Sequence, residues 1–474
     1  MSKAGKPRGE RRVAELPEAA IRSFEAALRG EVVLPDDERY DAARRVWNGE
    51  INRFPALVAR CTGVADVVEA VNFAREQDLL VAVRGGAHNA AGNATCDGGI
   101  VIDLAEMNGV AVDPIARTVR AGGGAKWIDV DRETQVFGLA APGGVVSDTG
   151  IAGFTLGGGY GHLRRRYGLA CDNLRSATVV TADGAVRIAS RDRNEDLFWA
   201  LRGGGGNFGV VTSFEYDLHP VGPEVSVLFV WYPADTTNEV FRRFRAHAET
   251  APNAASTIAF AAYVPETEEF PATARGDLAV VLAGLYADDP GDGDAEFRGL
   301  RELGEPIVDF SGRMNYTDLQ TLLDADYPSG RHYYWKSVYL DELSDEVFDA
   351  VESDIEESPS KLTTIDLWGM GGAIGDVEAD STAFWHRDEP YMLNYEANWD
   401  DPAASEANVS WVRERIDALR EFDGVSGGYG NFPGFNEDPV KTIFGGNYDR
   451  LVDVKTTYDP TNLFRLNQNV TPRD

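Results

Sequence analysis

Residues 83–107 read VRGGAHNAAGNATCDGGIVIDLAEM, and the order strand, glycine turn, strand in this stretch decides how the rest of the chain is read. LLVAV, ending at Val83, is a buried strand that runs into glycine, and GGIVIDL supplies the next β-branched strand. Between them, Arg84-Gly85-Gly86-Ala87-His88-Asn89 is a small-residue turn, and glycines there let backbone N–H groups face an anion at close range. VADVVEAVNFAREQD (64–78) has helical apolar spacing before it. VAVDPIARTVRAGGG, SATVVTADGAVRIAS and NFGVVTSFEYDL after it are strand candidates separated by Asp-Pro, Asp-Gly or glycine turns.

The glycine pattern recurs at Gly122–Gly124, Gly143-Gly144, Gly157–Gly159 with Gly161, and Gly203–Gly206 with Gly209. One such cluster is most simply a tight turn, but repetition over residues 85–209 points to a pyrophosphate and hence to a dinucleotide cofactor. Gly204, Gly206 and Gly209 match GxGxxG, yet helical NEDLFWALR precedes them and a strand follows. The usual nicotinamide-binding order is the reverse, so that class is disfavoured.

At 474 residues with 43% hydrophobic content, the chain has material for two domains with real cores. Its 77 acidic and 45 basic residues leave a net charge of −32, which repels nucleic acid and anionic membranes. Acid is spread along the chain, as in 288–294 and 352–357, and suggests adaptation to high salt. Cys61, Cys96 and Cys171 are an odd, widely spaced set that offers neither a disulfide framework nor a metal pattern. No HExxH, CxxC, GxSxG or GxxxxGK[ST] occurs, so no metal dependence is expected. The polar N-terminus, MSKAGKPRGERRVAELPEAA, and the lack of a long apolar run predict a cytoplasmic protein whose first dozen residues are a mobile tail.

Around Pro220–Pro223 the glycine clusters stop, and VSVLFVWYP, TIAFAAYV and LAVVLAGLY alternate with helical stretches such as TNEVFRRFRAHAE. The reading is an α+β protein: N-terminal tail and helices over 1–44, a cofactor domain over 45–222, a substrate domain over 223–423, and a C-terminal segment, 424–474, returning to the first domain. The substrate domain is expected to be an antiparallel sheet covered by helices. Its aromatics Tyr333, Tyr334, Trp335, Tyr339, Trp368, Trp385, Tyr391, Tyr395 and Trp399 suit either a substrate wall or a core.

Three long stretches carry a family resemblance: residues 83–114, APGGVVSDTGIAGFTLGGGYGHLRRRYGLACDNL (141–174) and DLFWALRGGGGNFGVVTSFEY (196–216). With GGNYDRLVDVKTTYDPTNLFRLNQNV (445–470), they resemble berberine-bridge-enzyme-like flavoproteins of the vanillyl-alcohol-oxidase superfamily, which carry a PCMH-type FAD-binding domain. The resemblance implies an FAD-dependent oxidoreductase in which His88 is the covalent attachment point on the flavin 8α-methyl. It places Arg84, Gly85, Gly86 and Ala87 at the pyrophosphate, with Asn89 beside them. Asp148, Thr149, Gly150 and Gly153, continuing to Gly158 and Gly159, form a second FAD loop, and Val211 lies at the nucleotide end. Many relatives attach the flavin a second time through cysteine, and Val146 stands at that position, so a single link is expected.

Tyr429-Gly430-Asn431-Phe432 resembles the family's stretch beside the flavin ring. Tyr429 is then the candidate base that takes a hydroxyl proton as hydride leaves the carbinol carbon, and Asn431 a hydrogen-bonding partner of the flavin. Asp366, in TTIDLWGMGG, is a weaker acid-base candidate, and His386-Arg387 has a structural role as its alternative. Small organic molecules such as sugars, aromatic alcohols or polycycles are the implied substrates, with oxygen or another acceptor reoxidising the flavin. A dehydrogenase of the same family, and a flavin-retaining binding or redox-sensing protein without turnover, remain as alternatives.

Overall fold

The computed structural model describes residues 16–435 and 440–473, so the predicted tail of the first dozen residues lies outside the described residues. The first layer is a four-stranded sheet in which Leu57–Arg60 and Val81–Arg84 flank Ile100–Asp103 in parallel. Parallel neighbours need a crossover, and helix Val64–Glu76 provides it, burying Val67, Ala70, Val71 and Ala74 on the single stripe that the 3.6-residue period creates. Glu31–Val33 pairs antiparallel with Leu57–Arg60. A strand inside the N-terminal 44 residues thus joins the same sheet as strands that follow residue 45.

The second layer is a five-stranded antiparallel sheet in the spatial order Val110–Asp113, Thr118–Gly122, Val210–Asp217, Leu174–Val180, Val186–Ser190. Glycine-rich loops from both small sheets converge between them.

The roof is a nine-stranded sheet whose pairings are all antiparallel, built mainly from Glu224–Pro233, Ala255–Tyr263, Leu278–Tyr286, His332–Leu340, Thr364–Gly369 and Tyr391–Trp399. Successive side chains point to opposite faces. Leu228, Val230, Ala259, Ile365, Leu367, Leu393 and Ala397 face the core shared with helices Thr237–Thr250, Asp345–Glu356 and Ser405–Leu419. Their neighbours Phe229, Trp231, Phe260, Asp366, Trp368 and Glu396 face the cofactor domain across a cavity. The same alternation divides the aromatics expected at a substrate wall. Tyr334, Tyr391, Tyr395 and Trp399 are on the helix side, whereas Trp335 and Trp368 reach the cavity.

Val425–Ser426 still belongs to the roof, pairing with Tyr339 and Leu340, and only beyond it does the chain return to the cofactor domain. Helices Val440–Phe444 and Tyr448–Tyr458 bury Val440, Ile443, Phe444, Leu451 and Val454 in that domain's core. A buried ion pair fastens this return. Lys455 Nζ donates to Asp459 Oδ2 at 2.7 Å and to the carbonyls of Asn207 and Phe464, both at 2.8 Å, while Asp459 accepts from the N–H groups of Leu463 and Phe464. Both residues are fully buried. Among the described residues no helix is long and apolar enough to cross a membrane.

Removing one partner of such a pair strands the other charge in a dry interior. Lys455→Met is therefore expected to lower stability by about 3–5 kcal/mol, read as a shift of the denaturant midpoint at constant slope. An unchanged midpoint would contradict the role given to the pair.

Candidate active site

The cavity between the glycine loops and the roof has a volume of about 610 Å³, within the range of about 300–1,000 Å³ usual for cofactor and small-molecule sites. Its floor is made where two loops meet backbone to backbone. A Cβ on Gly86 would lie 2.5 Å from Gly150 Cα, and one on Gly150 would lie 2.5 Å from Gly86 N. Any side chain at either position would wedge the loops apart. Ala87 takes a left-handed φ of 58°, an unfavourable conformation for a residue with a Cβ. Its carbonyl is held by the Trp47 N–H at 3.1 Å.

Gly85, Gly86, Ala87, His88 and Asn89 all line the cavity, as do Thr149, Gly150, Gly153 and Val211. The roof contributes Asp366, and the returning segment contributes Tyr429 and Asn431. Four residues expected at the cofactor are placed otherwise. The Arg84 guanidinium turns to Asp103 at 2.5 Å and to the carbonyls of Ala43 and Arg45, and so ties the sheet to the preceding segment. Asp148 is half exposed and paired with Lys126. Gly158 and Gly159 lie behind the wall, both with positive φ, where a Cβ would strike Phe384 or Phe154.

His88 stacks on Trp47 with ring centroids 4.0 Å apart, and Tyr333 of the roof stacks on the other side of that indole at 3.7 Å. The imidazole Nε2 is sealed from solvent without a hydrogen-bond partner. Burial is the main force bringing its pKa down to about 4, so the ring is neutral and keeps a lone pair. His162, not singled out from the sequence, also reaches the cavity with Nε2 unpartnered. Burial, then Arg164, brings its pKa down to about 3.

Tyr429 Oη accepts from Asn431 Nδ2 at 2.8 Å, Gly159 N at 3.1 Å and Tyr160 N at 3.3 Å. The amide end of Asn431 is fixed because the same nitrogen donates to the Phe154 carbonyl, which can only accept. Burial pushes the phenol pKa up, and these donors oppose it without overcoming it. Behind this pair, Tyr160 bonds Tyr339 at 3.0 Å and Tyr339 stacks on His386. His386 is held by Glu389 and the Thr442 carbonyl, and Arg387 by Asp172 and Thr382, so both serve the packing.

Glu396 is a site residue that the sequence reading passed over. It follows Asn394 by two positions on a strand whose alternate residues face the cavity, and its Oε2 accepts from Tyr327 Oη at 2.7 Å, its Oε1 from Asn394 Nδ2 at 2.6 Å. Asp366 is paired in register with Asn394, which places the two carboxyls diagonally on one face. Burial pushes Asp366 up to about 7, and burial together with Asp366 pushes Glu396 well above its ordinary value. The signal was present in YMLNYEANW: Asn394, Glu396 and Asn398 recur with period two in an otherwise apolar strand.

Two family models match the chain: an FAD binding domain over residues 55–190, and the "berberine and berberine like" segment over 428–471. An FAD-linked oxidoreductase of Dictyostelium discoideum is 31% identical over 95% of this chain and 97% of its own length. (R)-6-hydroxynicotine oxidase of Paenarthrobacter nicotinovorans is 32% identical over 94% of this chain and 97% of its own. The crystal structure of 6-hydroxy-D-nicotine oxidase from Arthrobacter nicotinovorans superposes with a TM-score of 0.83, at 30% identity, covering 94% of this chain and 98% of the other.

A carboxyl whose pKa is raised on folding keeps its proton while the unfolded chain loses it, so stability falls as pH rises from the ordinary carboxyl value toward the folded one. For Asp366 that window is pH 3.8 to about 7. Asp366→Asn is expected to flatten the decline of melting temperature across this window and to leave the protein more stable than the wild type above it. A parallel decline in both proteins would remove Asp366 as its source.

Proposed function

Because the chain belongs to the family of FAD-linked oxidoreductases, we propose that it is an oxidase holding FAD in the glycine-lined cavity by one covalent bond, to His88. It would take hydride from an alcohol-type carbon of a small organic substrate, with oxygen as final acceptor. The observation that carries this reading is His88: a neutral imidazole with an unpartnered buried nitrogen, set at the end of the loop whose glycines touch the second loop. Bound FAD supplies the two-electron acceptor.

The protein's own part is binding, orientation and proton handling. Gly86 and Gly150 leave room for backbone N–H groups to approach an anion, which suits the pyrophosphate. Val146 in the cavity wall has no nucleophile, which supports a single link. Trp47, pressed between His88 and Tyr333, limits rotation of the imidazole. Tyr429 is the proposed acceptor of the substrate's hydroxyl proton. Its oxygen has two lone pairs as a phenol and three as a phenolate, so Gly159, Tyr160 and Asn431 together suit the deprotonated form.

Acid precipitation of the purified protein is expected to leave yellow flavin in the washed wild-type pellet and release it from His88→Ala. Flavin that leaves the wild type equally would refute the covalent bond, and a colourless protein that takes up no FAD would refute the cofactor. Tyr429→Phe is expected to keep its flavin while kcat drops by about 10²–10⁴-fold. Since burial keeps Tyr429 protonated at neutral pH, wild-type turnover should rise with pH, and the variant should lose that rise.

A further inference from the structure

Four buried polar atoms on one face of the roof make no well-formed hydrogen bond, Thr364 Oγ1, Asp366 Oδ1, Trp368 Nε1 and Asn394 Oδ1, although Thr364 and Trp368 lie close enough to the Asp366 carboxyl to interact with it. All four are buried on two paired strands, Thr364–Gly369 and Tyr391–Trp399, in the register Asp366 opposite Asn394 and Thr364 opposite Glu396. Poorly paired buried polar atoms are costly, and Thr364, Asp366 and Trp368 line the cavity, where a ligand can complete their bonding. Asn394 Oδ1 can only accept, Asp366 Oδ1 accepts once the carboxyl is ionised, and the Glu396 carboxyl lies diagonally across from Asp366.

The electrostatics of the cluster are one-sided. Among the described residues neither Asp366 nor Glu396 meets a cation, since Glu396 is bonded only by neutral Tyr327 and Asn394. The basic residues that line the cavity are engaged elsewhere. Lys361 donates to the Gly276 carbonyl and lies over the Tyr263 ring, and Arg331 bonds Asp400 and the Asp326 carbonyl. Glu266 and Asp326 line the cavity as well, and both cavity histidines are held neutral by burial. Aromatic faces enclose the cavity around the carboxyls: Trp335, Trp368, Phe260 and Tyr327. Such faces attract a cation through the ring quadrupole.

We propose that Asp366 and Glu396 are the recognition site for a protonated nitrogen, and that the substrate is an alcohol whose skeleton also carries a basic amine. This rests on the oxidase reading for its chemistry but not for its binding. The ammonium donates to Asp366 Oδ1 and Asn394 Oδ1, which the fold leaves without a well-formed bond, and its charge replaces a proton that burial otherwise keeps on the carboxyls. A neutral polyol offers donors but no charge, so binding it leaves that proton in place.

Calorimetric titration of the purified holoprotein at pH 6.5 tests the assignment with aralkyl amines (primary, tertiary and quaternary) each beside its neutral alcohol or ether isostere, in two buffers of different ionisation enthalpy. At least one cation should bind ten-fold or more tightly than its neutral partner and release protons on binding. Both the preference and the release should be lost in Asp366→Asn and in Glu396→Gln. If every cation in the set binds no better than its isostere, or the variants keep the preference, the assignment is overturned. Flavin content measured on the same samples separates this result from the oxidase reading: a flavin-free protein that still prefers cations defeats only the latter.

Discussion

The architecture depends on one contact that involves no side chain. Gly86 and Gly150 touch through backbone atoms, and neither position has room for a methyl group. Everything around the cavity floor is arranged by that approach: Gly85 packs on the Gly123 carbonyl, Ala87 is driven to positive φ, and His88 emerges facing the cavity instead of solvent. Glycine at these sites costs conformational entropy, which the closed interface between the two small sheets must offset. The gain is a wall of main-chain groups close enough for a ligand's phosphates to meet without intervening side chains.

A second fastening joins this floor to the roof. Trp47-Asn48-Gly49 runs between the domains: Asn48 donates to the carbonyls of Ala90 and Tyr333 and accepts from the Tyr333 N–H, Gly49 N–H donates to the Arg331 carbonyl, and the indole of Trp47 lies between His88 and Tyr333. The imidazole and the roof strand are thus parts of one packed stack. None of this was legible in VWNGEINRFPALV, because a segment that bonds to two distant strands leaves no periodicity of its own.

What the sequence disclosed well were features with local causes. The crossover helix followed from apolar spacing, the strands from β-branched runs between turns, and the floor from glycine clusters. The cavity positions of His88, Tyr429 and Asp366 were reached through family likeness, and the fold brings all three to one space. The direction of the Arg84 guanidinium was not legible, because a motif fixes where a backbone goes, while the destination of a long side chain depends on Asp103 and on two carbonyls of the preceding segment. Glu396 was passed over for a related reason: a charge in the middle of a buried strand reads as an anomaly until the partner strand shows that Asp366 shares its face.

Each roof strand serves two masters at alternate positions, with odd residues of Tyr391–Trp399 packing on helices and even ones facing the cavity. Inserting or deleting a single residue inside such a strand would exchange the two faces at one stroke, burying Glu396 among leucines and delivering Leu393 to the ligand. Over evolutionary time such a sheet can change what it binds only by replacement at every second site, with length changes confined to the connections. Its lineage would then be recorded as two interleaved sequences on one strand, a slow one that keeps the helices docked and a fast one that follows the chemistry.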